Sequence, residues 1–81
     1  MNDIETRIRL VLTQNGRLSQ DAQTVAVDAD LQQFGMTSHA SVNVMLGLEG
    51  AFDIEFPDHM LTRSVFTSIA SISAAISQLL G

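Results

Sequence analysis

The sequence predicts an all-α fold: a small four-helix bundle with three longer helices, one short third helix and a long loop between helices 1 and 2. Apolar residues recur at helical spacing in three separate segments of the chain. The apolar stretch at residues 25–27 is compatible with a short strand, but it has no second strand with which to pair. Because 81 residues suffice for one modest core, we expect a single domain over residues 1–81.

The first helix is predicted to begin at Asn2, which can cap it together with Glu5 three residues later. Two oppositely charged pairs at i, i+4 spacing also favour this helix, because the acidic residue precedes the basic one in each pair. Asn15 and Gly16 supply a stop. The predicted buried face consists of Ile4, Ile8, Val11 and Leu12.

A long loop is predicted over residues 17–36, where polar side chains dominate and apolar ones are scattered. Loops of this length are unusual in small domains and are generally either functional or misassigned. We expect Leu18, Leu31 and Phe34 to pin the loop to the core. Gly35 is expected to make the turn into the second helix.

The second helix is predicted over residues 38–52 and is apolar on two sides. At about 100° per residue, one quadrant holds Val44, Met45, Leu48 and Phe52. The roughly opposite side holds His39, Val42 and Leu46. Because complete burial of a helix is hard to arrange in so small a domain, we expect this second strip to face a partner, directly below Ser38.

The last part of the chain predicts the short third helix and a longer fourth one. Pro57 fixes a turn, and Asp58 can cap a brief helical turn through Leu61. The fourth helix is predicted from residue 67 or 68 to residue 80. Its buried face consists of Ile69, Ile72, Ile76 and Leu79.

The charge of the chain excludes several classes of partner. The chain contains nine acidic residues, four arginines and no lysine, so its net charge is −5. A surface of this charge repels nucleic-acid phosphates and anionic membranes. There is no cysteine, no apolar run near the roughly 20 residues that span a bilayer, and no basic flank of a signal peptide at the N-terminus. We therefore expect a monomeric, cytoplasmic protein that binds neither nucleic acid nor membranes.

Ser38 is the candidate functional residue, because it stands where the polar loop ends and the second helix begins. Free N–H groups and the macrodipole favour a phosphate at such a position. A serine there is by itself also a common capping residue. The chain shows no obvious catalytic cluster, and a covalent group on Ser38 can supply the missing chemistry, so the sequence favours a carrier over an enzyme.

A spaced set of residues around Ser38 resembles the acyl carrier protein family across essentially the whole chain. The set is Leu31, Phe34, Gly35, Ser38, Val42, Leu48, Glu49, Phe52, Ile54, Phe56 and Pro57. The resemblance implies that Ser38 carries 4′-phosphopantetheine through a phosphodiester, and that the terminal thiol of this arm holds cargo as a thioester. It also implies three partners: a phosphopantetheinyl transferase, an acyl- or amino acid-activating ligase, and a downstream acyl- or aminoacyl-transfer enzyme.

The chain departs from the usual acyl carrier pattern beside the serine and along the second helix. Thr37 and His39 flank Ser38 where the family usually has aspartate and leucine, and that aspartate can cap the helix and position the magnesium of the transferase. Thr37 can still cap the second helix, but it brings no charge. Asn43 and Gly50 stand where glutamates are common. These departures imply a specialised carrier that general fatty-acid enzymes recognise weakly.

Residues 41–58 and 60–66 resemble the bacterial aminoacyl carrier proteins, which also lack the aspartate before the serine. That resemblance implies charging with a small amino acid by a stand-alone ligase similar to a seryl-tRNA synthetase core. An acyl cargo remains the alternative, because both cargoes use the same arm and the same fold.

We expect partners to dock on the second helix through His39, Val42, Leu46 and Glu49, while Arg63 binds a carboxylate or phosphate. The competing hypothesis is an unmodified helical interaction module that docks through the same helix. Catalysis by Ser38 and His39 is disfavoured, since neighbouring helical residues do not face each other and no orienting acid is evident. The acidic residues lack the pattern of a cation-binding loop, so no metal site is predicted.

Two glycines and three methionines have roles that the sequence leaves open. Gly47 and Gly50 each cost the helix about 1 kcal/mol relative to alanine, and they permit close approach by the fourth helix or by a partner. Met45 is expected in the core. Met36 and Met60 are expected to border the arm or its cargo, because methionine fits irregular pockets.

Overall fold

The computed structural model describes residues 3–16 and 18–81, and in these residues the fold is all-α, as predicted. Its three α-helices are α1 (Asp3–Asn15), α2 (Ser38–Phe52) and α3 (Ile69–Leu80). Two short 3-10 turns lie at Leu31–Phe34 and Asp58–Met60. The predicted count of four helices is not confirmed, because the expected short third helix is a 3-10 turn of three residues.

The third segment is a single turn that begins directly after Pro57. Pro57 occupies the N-cap position, and its carbonyl accepts the N–H of Met60 at 2.9 Å. The capping role predicted for Asp58 is wrong: the turn begins one residue earlier, and no side chain caps it. Asp58 instead lies within the turn, where its carbonyl accepts the N–H of Leu61 at 3.0 Å.

The predicted core face of α1 is confirmed. Its buried side chains are Ile8, Val11 and Leu12, with Ile4 half-buried beside them. The N–H of Gly16 donates to the carbonyl of Leu12 at 2.8 Å at the predicted stop. The cap predicted at Asn2 lies outside the described residues.

Arg9 holds the connection between α1 and α2 against the body of the protein. Its guanidinium donates to the carbonyls of Ala22 and Val25, at 2.7 Å each, and pairs with Glu5 at 3.2 Å. Hydrogen bonds from charged donors contribute roughly 1.5–3 kcal/mol each. The apolar stretch at residues 25–27 is therefore a tethered loop segment, and its first side chain is buried.

The loop ends in the 3-10 turn Leu31–Phe34, which the polar sequence did not predict. The expected anchors are confirmed: Leu31 is fully buried, and Leu18 and Phe34 are half-buried against the core. Gly35 adopts a left-handed conformation with φ 97°, which favours glycine and turns the chain into α2.

α3 completes the core on the other side of α1, which packs against both α2 and α3. Ser68 caps α3 through a reciprocal pair of hydrogen bonds with Ser71, at 3.1 and 3.0 Å. The predicted face is buried at Ile69, Ile72 and Ile76, with Leu79 half-buried. The side of α2 turned away from this core remains exposed, and it is the side that contains Val42 and Leu46.

Candidate functional site

An open groove of about 400 Å³ lies beside Ser38, between α2 and the segment that joins the second 3-10 turn to α3. The α2 wall consists of Ser38, Ser41, Val42 and Met45. The opposite wall consists of Leu61, Thr62, Arg63 and Phe66, and Gln32 comes from the turn before α2. The groove thus starts at the residue that the sequence singled out.

Ser38 is the first residue of α2, and its side chain is exposed. Thr37 caps the helix, as predicted, by accepting the N–H of Ala40 on its hydroxyl at 3.1 Å. The hydroxyl of Ser41 donates to the carbonyl of Thr37 at 3.1 Å. Of the two serines at the groove, only Ser38 presents a hydroxyl with no partner among the described residues.

The electrostatics at the start of α2 favour an anion on Ser38. The first N–H groups of a helix have no acceptor within it, and the macrodipole places partial positive charge at this end. The first turn of α2 contains no acidic residue that would offset this field. A phosphate ester at Ser38 would therefore occupy a favourable position.

The α2 wall of the groove follows from helical spacing. Ser41, Val42 and Met45 stand three, four and seven residues after Ser38, which places all four on one face. Met45 is half-buried and packs against the core as predicted, yet it also borders the groove, which the core assignment missed. Counting seven residues from Ser38 would have found it.

The expectation that Met36 and Met60 border the arm finds no support in the geometry of the groove. Both methionines are buried in the core, at 2% and 7% exposure, and neither lines the groove. Phe66, which belongs to the opposite wall, packs edge-on against Phe56 with ring centroids 5.4 Å apart. This aromatic contact holds the Phe66 ring at the groove, on the same wall as Leu61.

Two of the residues predicted to dock partners, Val42 and Arg63, line the groove, and the other three do not. Leu46 lies one turn beyond Val42 on the same exposed side of α2, and the side chains of Val42 and Leu46 are 52% and 56% exposed. His39 is exposed next to Ser38 but does not line the groove. Glu49 stands about three turns from Ser38, and its carboxylate accepts the N–H of Phe56 at 2.9 Å.

Four residues at the groove were not assigned a role from sequence: Gln32, Ser41, Leu61 and Thr62. Gln32 accepts a hydrogen bond from the guanidinium of Arg63, which links the turn before α2 to the opposite wall. This pairing joins residues 31 positions apart, so no local pattern could have predicted it.

Residues 3–16 and 18–81 contain no group of three or more side chains that could hold a metal ion. No helix in these ranges is long and apolar enough to cross a membrane.

Comparison with protein families gives one match that covers most of the chain. Residues 10–76 match the family described as phosphopantetheine attachment site. The matched range contains Ser38, the whole of α2 and every residue that lines the groove.

Individual relatives agree with this match. An aminoacyl carrier protein from Agrobacterium fabrum is 47% identical over 73 residues, which is 90% of this chain and 88% of that protein. The fold matches a chain in the crystal structure of an engineered Bradyrhizobium japonicum glycine:carrier protein ligase complexed with the carrier protein from Agrobacterium tumefaciens and ATP. That match has a TM-score of 0.89 and 44% identity, covering 93% of this chain and 97% of that one.

A second crystal structure contains the Bradyrhizobium japonicum ligase complexed with a glycylated carrier protein. The fold matches a chain of that complex with a TM-score of 0.75 and 33% identity. The match covers 91% of this chain and 99% of the other.

Proposed function

Because this chain belongs to the family of proteins with a phosphopantetheine attachment site, we propose that Ser38 carries the 4′-phosphopantetheine arm. One observation above all supports the assignment: Ser38 is the exposed serine at the start of a 15-residue helix, and its hydroxyl, at the mouth of the groove, has no partner in residues 3–16 and 18–81. The residues present fit the group. Helix N–H groups and the adjacent Arg63 favour its phosphate, and the apolar groove walls suit the uncharged remainder.

The arm supplies a terminal thiol that holds an amino acid as a thioester. Beyond the bond from Ser38 to the arm, the protein's own residues take no part in making or breaking the thioester: they present the arm and dock the enzymes that load and unload it. Ser38 and His39 are neighbours on α2 and point in different directions. We therefore propose a carrier without catalytic activity of its own.

The protein is a specialised carrier, and we propose that a small amino acid, with glycine as the first candidate, is its cargo. Two findings support this choice: the 47% identity to an aminoacyl carrier protein, and the fold shared with carrier proteins complexed with glycine ligases. A stand-alone ligase of that type is the proposed loading partner, followed by an aminoacyl-transfer enzyme. Since one related ligase complex contains ATP, we place the charging reaction in the cytoplasm.

Docking is proposed to depend on the exposed side of α2. Val42 and Leu46 expose two aliphatic side chains one turn apart, and α2 contains no arginine or lysine and a single acid, Glu49. A partner that covers this side of α2 gains its binding free energy mainly from the burial of apolar surface. Loss of such a contact should weaken binding with little dependence on salt, since few charges are involved.

A pair of matched leucines tests this docking surface. Leu46 and Leu80 are 56% and 52% exposed, on α2 and α3 respectively. Leu46→Ser should raise the KM of the ligase for the carrier by roughly tenfold, the equivalent of one lost aliphatic contact. Leu80→Ser should leave the KM unchanged. Equal effects of the two substitutions would contradict docking through α2.

The attachment site is tested by coexpression with a broad-specificity phosphopantetheinyl transferase and measurement of the intact mass. The wild type should gain the mass of one phosphopantetheine. Ser38→Ala should gain none. Ser41→Ala is the matched control, because it removes the neighbouring groove hydroxyl and should be modified like the wild type. An unmodified wild type, or a modified Ser38→Ala, would overturn the proposal.

A further inference from the structure

Gly50 is a glycine whose conformational freedom the fold does not use. It is exposed and lies within α2, where its backbone is helical and its φ is not positive. The left-handed position at the C-terminal end of this helix, which favours glycine, is held by Asp53 with a φ of 52°. At a helical position glycine weakens the helix relative to alanine. The backbone of α2 therefore gives no reason for a glycine at residue 50.

Packing within the protein does not require Gly50 either. Apart from the neighbouring residues and backbone of α2 itself, no atom of the described residues would lie within 4 Å of a Cβ built at Gly50. At Gly47, by contrast, the same carbon would lie 2.9 Å from Cγ1 of Val11 on α1. Contact with α1 thus explains Gly47 alone. What Gly50 provides is a patch of helix backbone that no side chain covers.

This patch of backbone continues the exposed apolar side of α2. Val42, Leu46 and Gly50 follow one another at intervals of four residues, so they lie within an arc of about 80° around the helix. The first two are exposed aliphatic side chains, and none of the three carries a charge. Glu49, the acid on α2, accepts the N–H of Phe56. The surface around Gly50 therefore fits an uncharged segment of a partner that packs closely against the helix.

We propose that Gly50 is a specificity-determining residue for charging: an uncharged segment of the amino acid ligase packs directly on the α2 backbone at Gly50, next to Leu46. A side chain at this position would hold the ligase away from the helix. The inference rests on the proposed function as an aminoacyl carrier, whose relatives form complexes with glycine ligases. Since the core of an interface is packed as densely as a protein interior, the ligase should respond to a single added methyl group.

The test measures charging of the whole holo-protein by a glycine:carrier protein ligase supplied with glycine and ATP. Gly50→Ala should raise the KM for the carrier roughly tenfold, which corresponds to about 1.4 kcal/mol. The kcat should not change, because Gly50 lies about 18 Å along the helix from Ser38 and its arm. The Tm of Gly50→Ala should rise, since alanine favours the helix. A higher KM in a more stable protein excludes unfolding as the cause.

Two larger substitutions and a control position separate space from charge and from helix propensity. Gly50→Gln and Gly50→Glu have side chains of nearly equal size, so both should raise the KM at least as much as Gly50→Ala. Ser77 is exposed on α3 and serves as the matched position. Ser77→Ala and Ser77→Gln should leave the KM at the value of the wild type.

The outcomes distinguish this inference from the function on which it rests. A wild-type holo-protein that the ligase does not charge overturns the amino acid cargo and this inference together. A wild type that is charged, with an unchanged KM for Gly50→Ala, overturns the inference and leaves the carrier function intact. A KM that rises for Gly50→Glu but not for Gly50→Gln shows that the ligase responds to charge rather than to space, which also overturns it. Equal rises for the Ser77 variants would do the same.

Discussion

Gly47 and Gly50 lie on the same helix and are chemically identical, yet the structure predicts opposite effects of replacing them with alanine. A Cβ at Gly47 would lie 2.9 Å from Cγ1 of Val11 and 2.9 Å from Nδ2 of Asn15. At Gly50, apart from the neighbouring residues and backbone of α2 itself, no atom of the described residues lies within 4 Å of the added carbon. The close approach at Gly47 is therefore made by α1 and not by the fourth helix or a partner, as the sequence suggested, and Gly50 has no such role within the described residues.

The magnitude follows from two opposing terms. Both substitutions gain roughly 0.5–1 kcal/mol from the higher helix propensity of alanine. At Gly47 the new carbon would lie well inside the about 3.5–4.0 Å of an ordinary carbon contact. Val11 cannot give way by rotation, because it is β-branched, helical and only 4% exposed.

Overpacking of this kind costs about 1–3 kcal/mol, and displacement of Asn15 would strain its hydrogen bond to the carbonyl of Val11, at 3.2 Å. The propensity gain is common to both variants and cancels in their difference. Gly50→Ala should therefore be more stable than Gly47→Ala by about 1–3 kcal/mol. Gly50→Ala should exceed the wild type, and Gly47→Ala should fall at or below it.

Thermal unfolding followed by far-ultraviolet circular dichroism measures this difference, since the chain has no tryptophan or tyrosine for fluorescence. For a domain of this size, 1 kcal/mol corresponds to about 4–8 °C in Tm, so the two variants should differ by at least about 4 °C. Equal rises in Tm for Gly47→Ala and Gly50→Ala would refute the contact between α1 and α2. That contact matters for function because it sets the orientation of the helix that begins at Ser38.

Three further substitutions are predicted to change stability or modification. Arg9→Met should lower the free energy of unfolding by roughly 2–4 kcal/mol, because the carbonyls of Ala22 and Val25 lose their charged donor; an unchanged urea midpoint would contradict this. Thr37→Ala should cost about 1 kcal/mol through loss of the helix cap. Thr37→Asp should preserve the cap. In a time course followed by mass spectrometry, Thr37→Asp should also speed modification by a housekeeping transferase, whereas Thr37→Ala should not. Asp53→Gly should raise the free energy of unfolding by about 0.5–1 kcal/mol, because Asp53 holds a left-handed φ of 52° at the C-terminal end of α2. A lower Tm for that variant would show that the Asp53 side chain has a compensating contact.

The helices could be predicted from sequence because their evidence is local. α2 begins and ends where the apolar period and the capping hydroxyl of Thr37 predict, at Ser38 and Phe52. The interior of the loop could not be predicted in the same way. Its path depends on Arg9, whose bonds to the carbonyls of Ala22 and Val25 reach 13 and 16 residues along the chain. Long-range hydrogen bonds of this kind leave no periodic pattern in the sequence.

The candidate site was likewise predictable only where its residues share one helix. Ser38 and the exposed strip on α2 were found from helical geometry, because they share one element with a regular period. The opposite wall of the groove was not found, since Leu61, Thr62 and Phe66 reach it through a turn and an irregular segment. Arg63 was named as a binder of anions, but its location beside Ser38 required the fold.

The most direct measurement of the central claim is to locate the cargo on the chain after charging. Holo-protein is incubated with glycine, ATP and a glycine:carrier protein ligase, then cleaved before Asp30 and Asp53 to give a peptide of residues 30–52. Its only serines are Ser38 and Ser41, and tandem mass spectrometry distinguishes them. We predict glycyl-phosphopantetheine on Ser38. Modification at Ser41, or a holo-peptide that accepts an acyl group but never glycine, would contradict the account.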